Sequence, residues 1–440
     1  MRAPTLERVA RPGPASGGAG GTSAWVAVAA TALAVVAVHV WGRWLQARGH
    51  RLFVNLPPLT GHLDLRLGWQ AVAAPVAAVA AVVWGPALAA RLRWRRLLVL
   101  CLLAAATWAL ALAITEGVGG VLRSPASPRD YLSDAPSIEG PVPFLRTYVD
   151  EIDRYATHVR AHPPGMTLLA WALDRAGGGP AWLAGLEIVI GASAIPAALI
   201  ALRETSGERS ARAAAPFLVF APAAITLGSS GDALFAGVGA WAVTLVVLAT
   251  GRHGSRADAL AVAGGSLFGA AAFLSYGLVL LAAIPLAVAG SRRRARPILL
   301  AGLGAVPVFA AFWVGGFSWL DGLAATRVEY AESVARFRPY AYFLVANLAA
   351  FALVLGPAGV AGLARLRRRS TWVLVGGALV AVALADLSGM SKAEVERIWL
   401  PFVPWVLLAT SALPRGAARG WLAANVGTAL ALEVAVTQPW

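Results

Sequence analysis

The chain has 440 residues, 58% of them hydrophobic and 13% charged, with 46 glycines, 27 prolines and a formal net charge of +15 from 37 Lys plus Arg against 22 Asp plus Glu. Ordinary soluble domains are about half apolar and about a quarter charged, so this composition argues against a soluble enzyme, a disordered chain or a coiled coil and points to a polytopic membrane protein. Lys392 is the only lysine, so the positive charge is almost all arginine; Cys101 is the only cysteine, which excludes an internal disulfide.

Residues 1–22 carry Gly, Pro, Ser and Ala with Arg2, Arg8 and Arg11 and no apolar periodicity, which predicts a disordered cytoplasmic tail. A bilayer core takes about 20 apolar residues in helical form. Segments near that length at 23–41, 69–90, 97–115, 179–202, 213–228, 231–250, 257–275, 277–290, 297–315, 341–363, 371–386, 398–413 and 421–436 predict an all-α chain with about thirteen transmembrane helices. Three arginine clusters lie in short loops: Arg91, Arg93, Arg95 and Arg96; Arg292, Arg293, Arg294 and Arg296; Arg365, Arg367, Arg368 and Arg369. Placing all three on the cytoplasmic side puts the N-terminus inside and the C-terminus outside. Twelve arginines are thereby explained as topology, and no nucleic-acid partner is expected. The stretch 166–176 after His162-Pro163-Pro164 is too short for a crossing. A crossing there would also turn every later arginine cluster outward, so a short re-entrant helix is expected.

Residues 116–163 form the longest non-apolar stretch. It holds seven acids (Glu116, Asp130, Asp134, Glu139, Asp150, Glu151, Asp153) and five arginines (Arg123, Arg129, Arg146, Arg154, Arg160), all on the outer side. Loops of this size are usually functional or disordered. Phe144, Leu145, Tyr148, Val149, Ile152 and Tyr155 fall at helical spacing, so an amphipathic surface helix is expected over 142–158. The other outer elements are the turn Gly228-Ser229-Ser230-Gly231-Asp232, the stretch 317–340, and 386–397, which ends in Lys392-Ala393-Glu394-Val395-Glu396-Arg397 before Trp399-Leu400-Pro401. The ionisable groups near membrane depth thus gather on one face. No phosphate-binding glycine loop, Cys/His metal spacing or serine elbow accompanies them.

Four of these signals, in this order and on one side, resemble the GT-C class of membrane glycosyltransferases, which includes protein mannosyltransferases and aminoarabinose transferases. They are the acid-bearing loop after Glu116, the His162-Pro163-Pro164-Gly165 helix start, Ser230 and Asp232 heading a later helix, and Glu396-Arg397 before Trp399-Leu400-Pro401. The resemblance covers residues 97–415; 23–96 then supplies two additional N-terminal helices and 416–440 a C-terminal one. It implies a polyprenyl-phosphate-linked sugar donor, mannose or arabinose, and a cell-envelope glycan, lipid or protein acceptor. Transfer would take place at the outer face of a bacterial cytoplasmic membrane, among membrane lipids and without nucleotide. A loop carboxylate would act as general base on the acceptor hydroxyl. Asp130 has the residue type and Glu116 the position at the helix exit, with Asp150 and Asp153 in reserve, whereas Asp134, Glu139 and Glu151 read as solvated loop charge.

His158 and His162 stand at the electropositive start of the short helix, where a sugar hydroxyl or donor phosphate would bind, or where they simply serve as interfacial turn residues. With Asp130 they leave a divalent cation open as a cofactor, although the spacing alone specifies no metal site. Asp232 would orient substrate or cap its helix. Arg397 offers a fork for the leaving phosphate, held by Glu394 or Glu396, with Arg327, Arg336 and Arg338 as second choices. Trp41, Trp69, Trp319 and Trp399 read as interfacial belt residues. The alternative function is a secondary transporter or lipid-linked-sugar flippase, for which repeats and charges at the midplane would be expected.

Overall fold

The computed structural model describes residues 17–228 and 230–437, with side chains from residue 22 onward except at 116 and 118. Most of the predicted tail and the Glu116 carboxylate therefore lie outside the described residues. Fifteen helices have ten residues or more: α1 (Gly17–Ala47), α2 (Ala73–Arg91), α3 (Trp94–Ala113), α4 (Gly165–Arg175), α5 (Pro180–Ala192), α6 (Ala194–Ser206), α7 (Glu208–Val219), α8 (Asp232–Thr250), α9 (Ser255–Leu274), α10 (Ala283–Arg292), α11 (Arg296–Val314), α12 (Trp319–Glu332), α13 (Tyr340–Arg365), α14 (Arg369–Leu387) and α15 (Ala418–Ala435). Runs of Ala, Leu and Val fold this way in lipid because a helix satisfies its own backbone hydrogen bonds.

Nine helical stretches among the described residues are long and apolar enough to cross a membrane, or ten if the bent pair Val395–Ala412 and Arg415–Ala435 counts as one span. The chain is a multi-pass membrane protein. The nine coincide with nine of the thirteen predicted segments. The other four are shorter or broken: α7 has 12 residues and gives way to a 3-10 turn at Pro222–Thr226, Tyr276–Arg292 is part 3-10 helix, and the last two segments form the pair bent by 115°. Proline accounts for part of this, since Pro216, Pro222, Pro285, Pro401 and Pro404 lack the N–H that would continue the helix.

The two ends of the bundle differ chemically. At one, Arg212 donates to the carbonyls of Ala89 and Leu92, Arg252 and Arg292 approach Glu204, and the Ser206 hydroxyl meets that of Thr371. This is where the arginine clusters collect. At the other end, Arg338 donates to the carbonyls of Leu52 and Phe53, Arg160 pairs with Glu329, and Trp171 and Arg175 both donate to the Ile138 carbonyl. Helix α4 is thus tied to the acid-bearing loop near its C-terminus as well as its start. A two-residue antiparallel pair, His62–Leu63 with Val436–Thr437, closes this end.

The expected amphipathic helix over 142–158 is replaced by three short turns, Pro141–Thr147, Ile152–Arg154 and Thr157–Arg160. The apolar side chains that suggested it turn inward instead. Phe144, Leu145, Tyr148 and Ile152 are buried, and the Tyr148 hydroxyl donates to the carbonyls of Val159 and His162, bonds that a continuous helix could not reach. Trp399 also departs from expectation: it is 1% exposed, with its N–H on Ser391 Oγ and its ring edge-on to Phe351, so it belongs to the core and not to a belt.

Helix α8 carries Asp232 and is seated by contact with α5 and α6. The Thr244 hydroxyl donates to the Ala197 carbonyl and Trp241 Nε1 to Ser193 Oγ. A Cβ at Gly237 would stand 2.0 Å from the Ile190 carbonyl oxygen, so only glycine allows this approach. Gly237→Val is expected to cost about 1–3 kcal/mol of stability by overpacking. Gly302→Ala, with open space around its Cβ, should leave the unfolding midpoint in detergent where it was. Equal midpoints for the two variants would disprove the close approach.

Candidate functional site

A cavity of about 720 Å³ opens at the acid-bearing end. Its wall combines His158 and His162 from the loop, Asp232 from the first turn of α8, Tyr330 from α12, and Lys392, Glu394 and Arg397 from the segment before Trp399. Leu278, Leu280, Ile398 and Phe402 add an apolar strip. Residues far apart in sequence thus meet in one recess with both charged and greasy walls.

Arg397 sits at the centre of its charges. One guanidinium nitrogen donates to Asp232 Oδ2 at 2.7 Å and another to Glu394 Oε2 at 2.9 Å. Arg397 and Asp232 are 8% and 4% exposed, so this pairing is screened little by water. Asp232 occupies the first turn of α8, where the N-terminal dipole also favours an anion, and Gly231 stands at the N-cap. Arg338 reaches Glu394 at 3.8 Å while holding the Leu52, Phe53 and Lys392 carbonyls. Burial alone would raise the Glu394 carboxyl; the nearby Arg397 and Arg338 cations outweigh it and hold it below its ordinary value. Ala393 and Glu394 both take positive φ, 73° and 62°, a strained turn that aims Glu394 back at Arg397.

Asp130 is fully buried and does not line the cavity. Its Oδ1 accepts from the Tyr131 N–H at 2.7 Å, and Oδ2 accepts from Ser124 Oγ at 3.0 Å and faces His158 Nδ1 at 3.2 Å. The loop carboxylate expected to touch substrate is instead enclosed by donors, and His158 stands between it and the open space. The backbone supports this placement, since the His158 N–H donates to the Arg129 carbonyl at 2.9 Å. His162 Nδ1 meets the His158 carbonyl at 3.0 Å, so that nitrogen carries the proton. Both rings pack beside Tyr131, whose phenol is pushed well above its ordinary range by burial and by the Asp130 and Asp232 carboxylates. Burial drives the His162 imidazole down to about 4, against the opposing pull of Asp232.

Other predicted residues are not brought together. Glu396 is buried behind the wall with Oε1 3.5 Å from the Thr60 N–H, so Glu394 and not Glu396 holds Arg397. Asp150 is exposed, and Asp153 lies at the rim. Asp134 is not a free surface charge, because its Oδ2 accepts from the Ala156 N–H at 2.7 Å and fixes the loop. Glu151 pairs with Arg154 in the open, a contact worth about 0–1 kcal/mol. Sequence reasoning missed Glu187, buried in α5, whose Oε1 has no hydrogen-bond partner among the described residues and would lie 3.5 Å from a Cβ at Gly231. A lone acid in an apolar segment was the available signal. It also missed the 50–60 segment that Arg338 and Glu396 draw over this end.

Among the described residues no three His, Cys, Asp or Glu side chains are grouped to share a metal ion. No family model, curated protein or solved structure matches the chain.

Two outcomes test the electrostatics. Arg397→Gln leaves two carboxylates facing each other in a buried setting and is expected to cost about 3–5 kcal/mol. Adding Asp232→Asn should recover part of that loss in a denaturant titration, and strictly additive losses would contradict the pairing. For His162, the unfolded imidazole binds a proton near 6.5 and the folded one only near 4. Between those values the unfolded state holds more protons, so stability should fall as pH drops from 6.5 toward 4. That slope should flatten in His162→Gln; an unchanged slope would assign it to other groups.

Proposed function

We propose that the protein is an integral-membrane glycosyltransferase that moves a sugar, mannose or arabinose, from a polyprenyl-phosphate donor to a cell-envelope acceptor at the outer face of a bacterial cytoplasmic membrane. The observation that carries this reading is the composition of the cavity. It joins a carboxylate-backed histidine, three cations (Arg338, Lys392, Arg397) and an apolar strip. A lipid-linked sugar phosphate needs these three things: an apolar wall for the first isoprene units, cations for the phosphate that leaves, and a proton acceptor near the attacking hydroxyl. The resemblance to GT-C enzymes supplies the reaction class.

In this reading the chain crosses the membrane thirteen times. The shorter predicted segments complete the parity, and two of them run from contacts at one end of the bundle to contacts at the other. Helix α7 bonds to Ala89 and Leu92 through Arg212, while the chain after its 3-10 turn reaches Gly228, which packs on Ala109 and Ala113. Tyr276 lines the cavity, and Arg292 on the same segment donates to Thr250. The arginine-rich end is then cytoplasmic and the cavity outward. Helix α4 enters from the outer side without crossing.

Arg397 has its charge set by Asp232 and Glu394, and Lys392 is the added cation. Lys392 Nζ donates to the Ala335 carbonyl at 3.1 Å and leaves further donors for a phosphate. The transport alternative is less favoured, since the large cavity is lined by residues of one end only and the second, about 30 Å³, is apolar throughout.

Purified protein in lipid nanodiscs, given polyprenyl-phosphate mannose or arabinose with a membrane extract as acceptor, is expected to consume one donor and release polyprenyl phosphate. Lys392→Ala should raise the donor KM about tenfold, equivalent to about 1.4 kcal/mol, with kcat little changed. Consumption of neither donor would overturn the proposal.

A further inference from the structure

We infer that His158, and not a carboxylate, takes the proton from the acceptor hydroxyl, with Asp130 as the group that positions it and stabilises the imidazolium that forms; this rests on the glycosyl-transfer reading above. The carboxylate that sequence reasoning favoured as the base has no path to substrate. It is fully buried, lies outside the cavity wall, and its oxygens already face Ser124 Oγ, the Tyr131 N–H and His158 Nδ1. His158, in contrast, lines the cavity and is partly exposed there. A carboxylate accepts only, so Nδ1 carries the proton toward Asp130 and Nε2 presents its lone pair. No hydrogen bond to Nε2 occurs among the described residues.

The other acids on the wall are paired or stand at its rim. Asp232 and Glu394 hold Arg397, and Glu329 pairs with Arg160. Asp153 and Glu332 stand exposed at the rim. The Tyr131 phenol is buried and does not reach the wall. His162 lacks a carboxylate at Nδ1, where only the His158 carbonyl stands, and its burial disfavours the cation. His158 alone combines an open nitrogen with a counter-ion at 3.2 Å for the imidazolium that forms.

The step balances without a co-reactant. The acceptor oxygen forms its bond to the anomeric carbon as the bond from that carbon to the phosphate oxygen breaks. The electron pair leaves with polyprenyl phosphate, near Arg397 and Lys392. The acceptor proton passes to His158 Nε2, and the imidazolium, stabilised by Asp130, gives it to water once product has left.

The test uses full-length protein in nanodiscs with the donor that the wild type consumes. His158→Ala is expected to lower kcat at least 100-fold, the usual worth of a positioned base, while a non-hydrolysable donor analogue still binds. Added imidazole should then restore a saturable fraction of turnover. His158→Asn, which keeps the contact to Asp130 but lacks Nε2, should be as slow as His158→Ala, and Asp130→Asn should lower kcat with donor KM unchanged. Turnover in His158→Asn within threefold of wild type would overturn the inference. So would a folded, donor-binding His158→Ala that imidazole fails to rescue. If wild-type protein consumes no donor, the glycosyl-transfer reading fails instead, and the two failures are told apart by that control.

Discussion

The Arg397 guanidinium, held between Asp232 and Glu394, is the interaction around which the acid-bearing end is organised. Asp232 belongs to the start of α8, a helix buried over most of its length; Glu394 belongs to a strained turn, and Arg397 begins the broken segment that follows. One cation thereby fixes three pieces of chain with different trajectories. A charge at this depth persists only if paired, because desolvation of an isolated ion costs several kcal/mol. The positions of α8 and the 388–397 segment are therefore not independent. Each carboxylate is stable where it stands because the arginine is there.

Around this pair the remaining polar groups form a second layer that holds loops to the bundle. Arg338 collects the Leu52, Phe53 and Lys392 carbonyls, and Tyr330 takes the Lys392 N–H on its hydroxyl. Asn347 bonds Asp386 and the Ser391 carbonyl, and accepts from the Ala393 N–H. These contacts satisfy irregular backbone that would otherwise be costly near membrane depth. A similar device operates in the bundle itself. The kink in α13 at Gly356 (φ 73°) and Pro357 frees the Ala358 N–H, and Asn425 of α15 accepts it at 2.8 Å.

The formal charges lining the cavity nearly cancel: Arg123, Arg129, Arg160, Arg338, Lys392 and Arg397 against Asp153, Asp232, Glu329, Glu332 and Glu394. An assembly of opposed charges held in place presents dipoles that need little rearrangement when a charged ligand enters. Separation within the assembly matters as much as the sum. The histidines come from the acid-bearing loop with Arg123, Arg129 and Arg160, the other cations from 338–397, and Asp232 from α8.

Much of the membrane architecture was legible in the sequence because hydropathy reports a requirement on every residue of a span. Nine long helices follow from length and apolarity alone, and the arginine clusters sort the ends. Asp232, His158, His162 and Arg397 were also recognisable, since ionisable residues at the mouths of apolar helices are costly enough to need a reason. Which partner each would choose was not legible. Glu394 and Glu396 are two residues apart and chemically alike, and only the positive φ at Ala393 and Glu394 turns the first toward Arg397 and leaves the second facing Thr60. Asp130 read as the loop carboxylate that would touch substrate because composition cannot show that Ser124, Tyr131 and His158 enclose it. The 142–158 periodicity was real, but its apolar face found a protein core before it found lipid. Sequence by itself determined that this chain lies in a membrane, which end of each long helix carries charge, and which residues are too expensive to be accidental. Tertiary structure alone decided which of them touch, because a hydrogen bond is settled by tenths of an ångström that no pattern of residue types encodes.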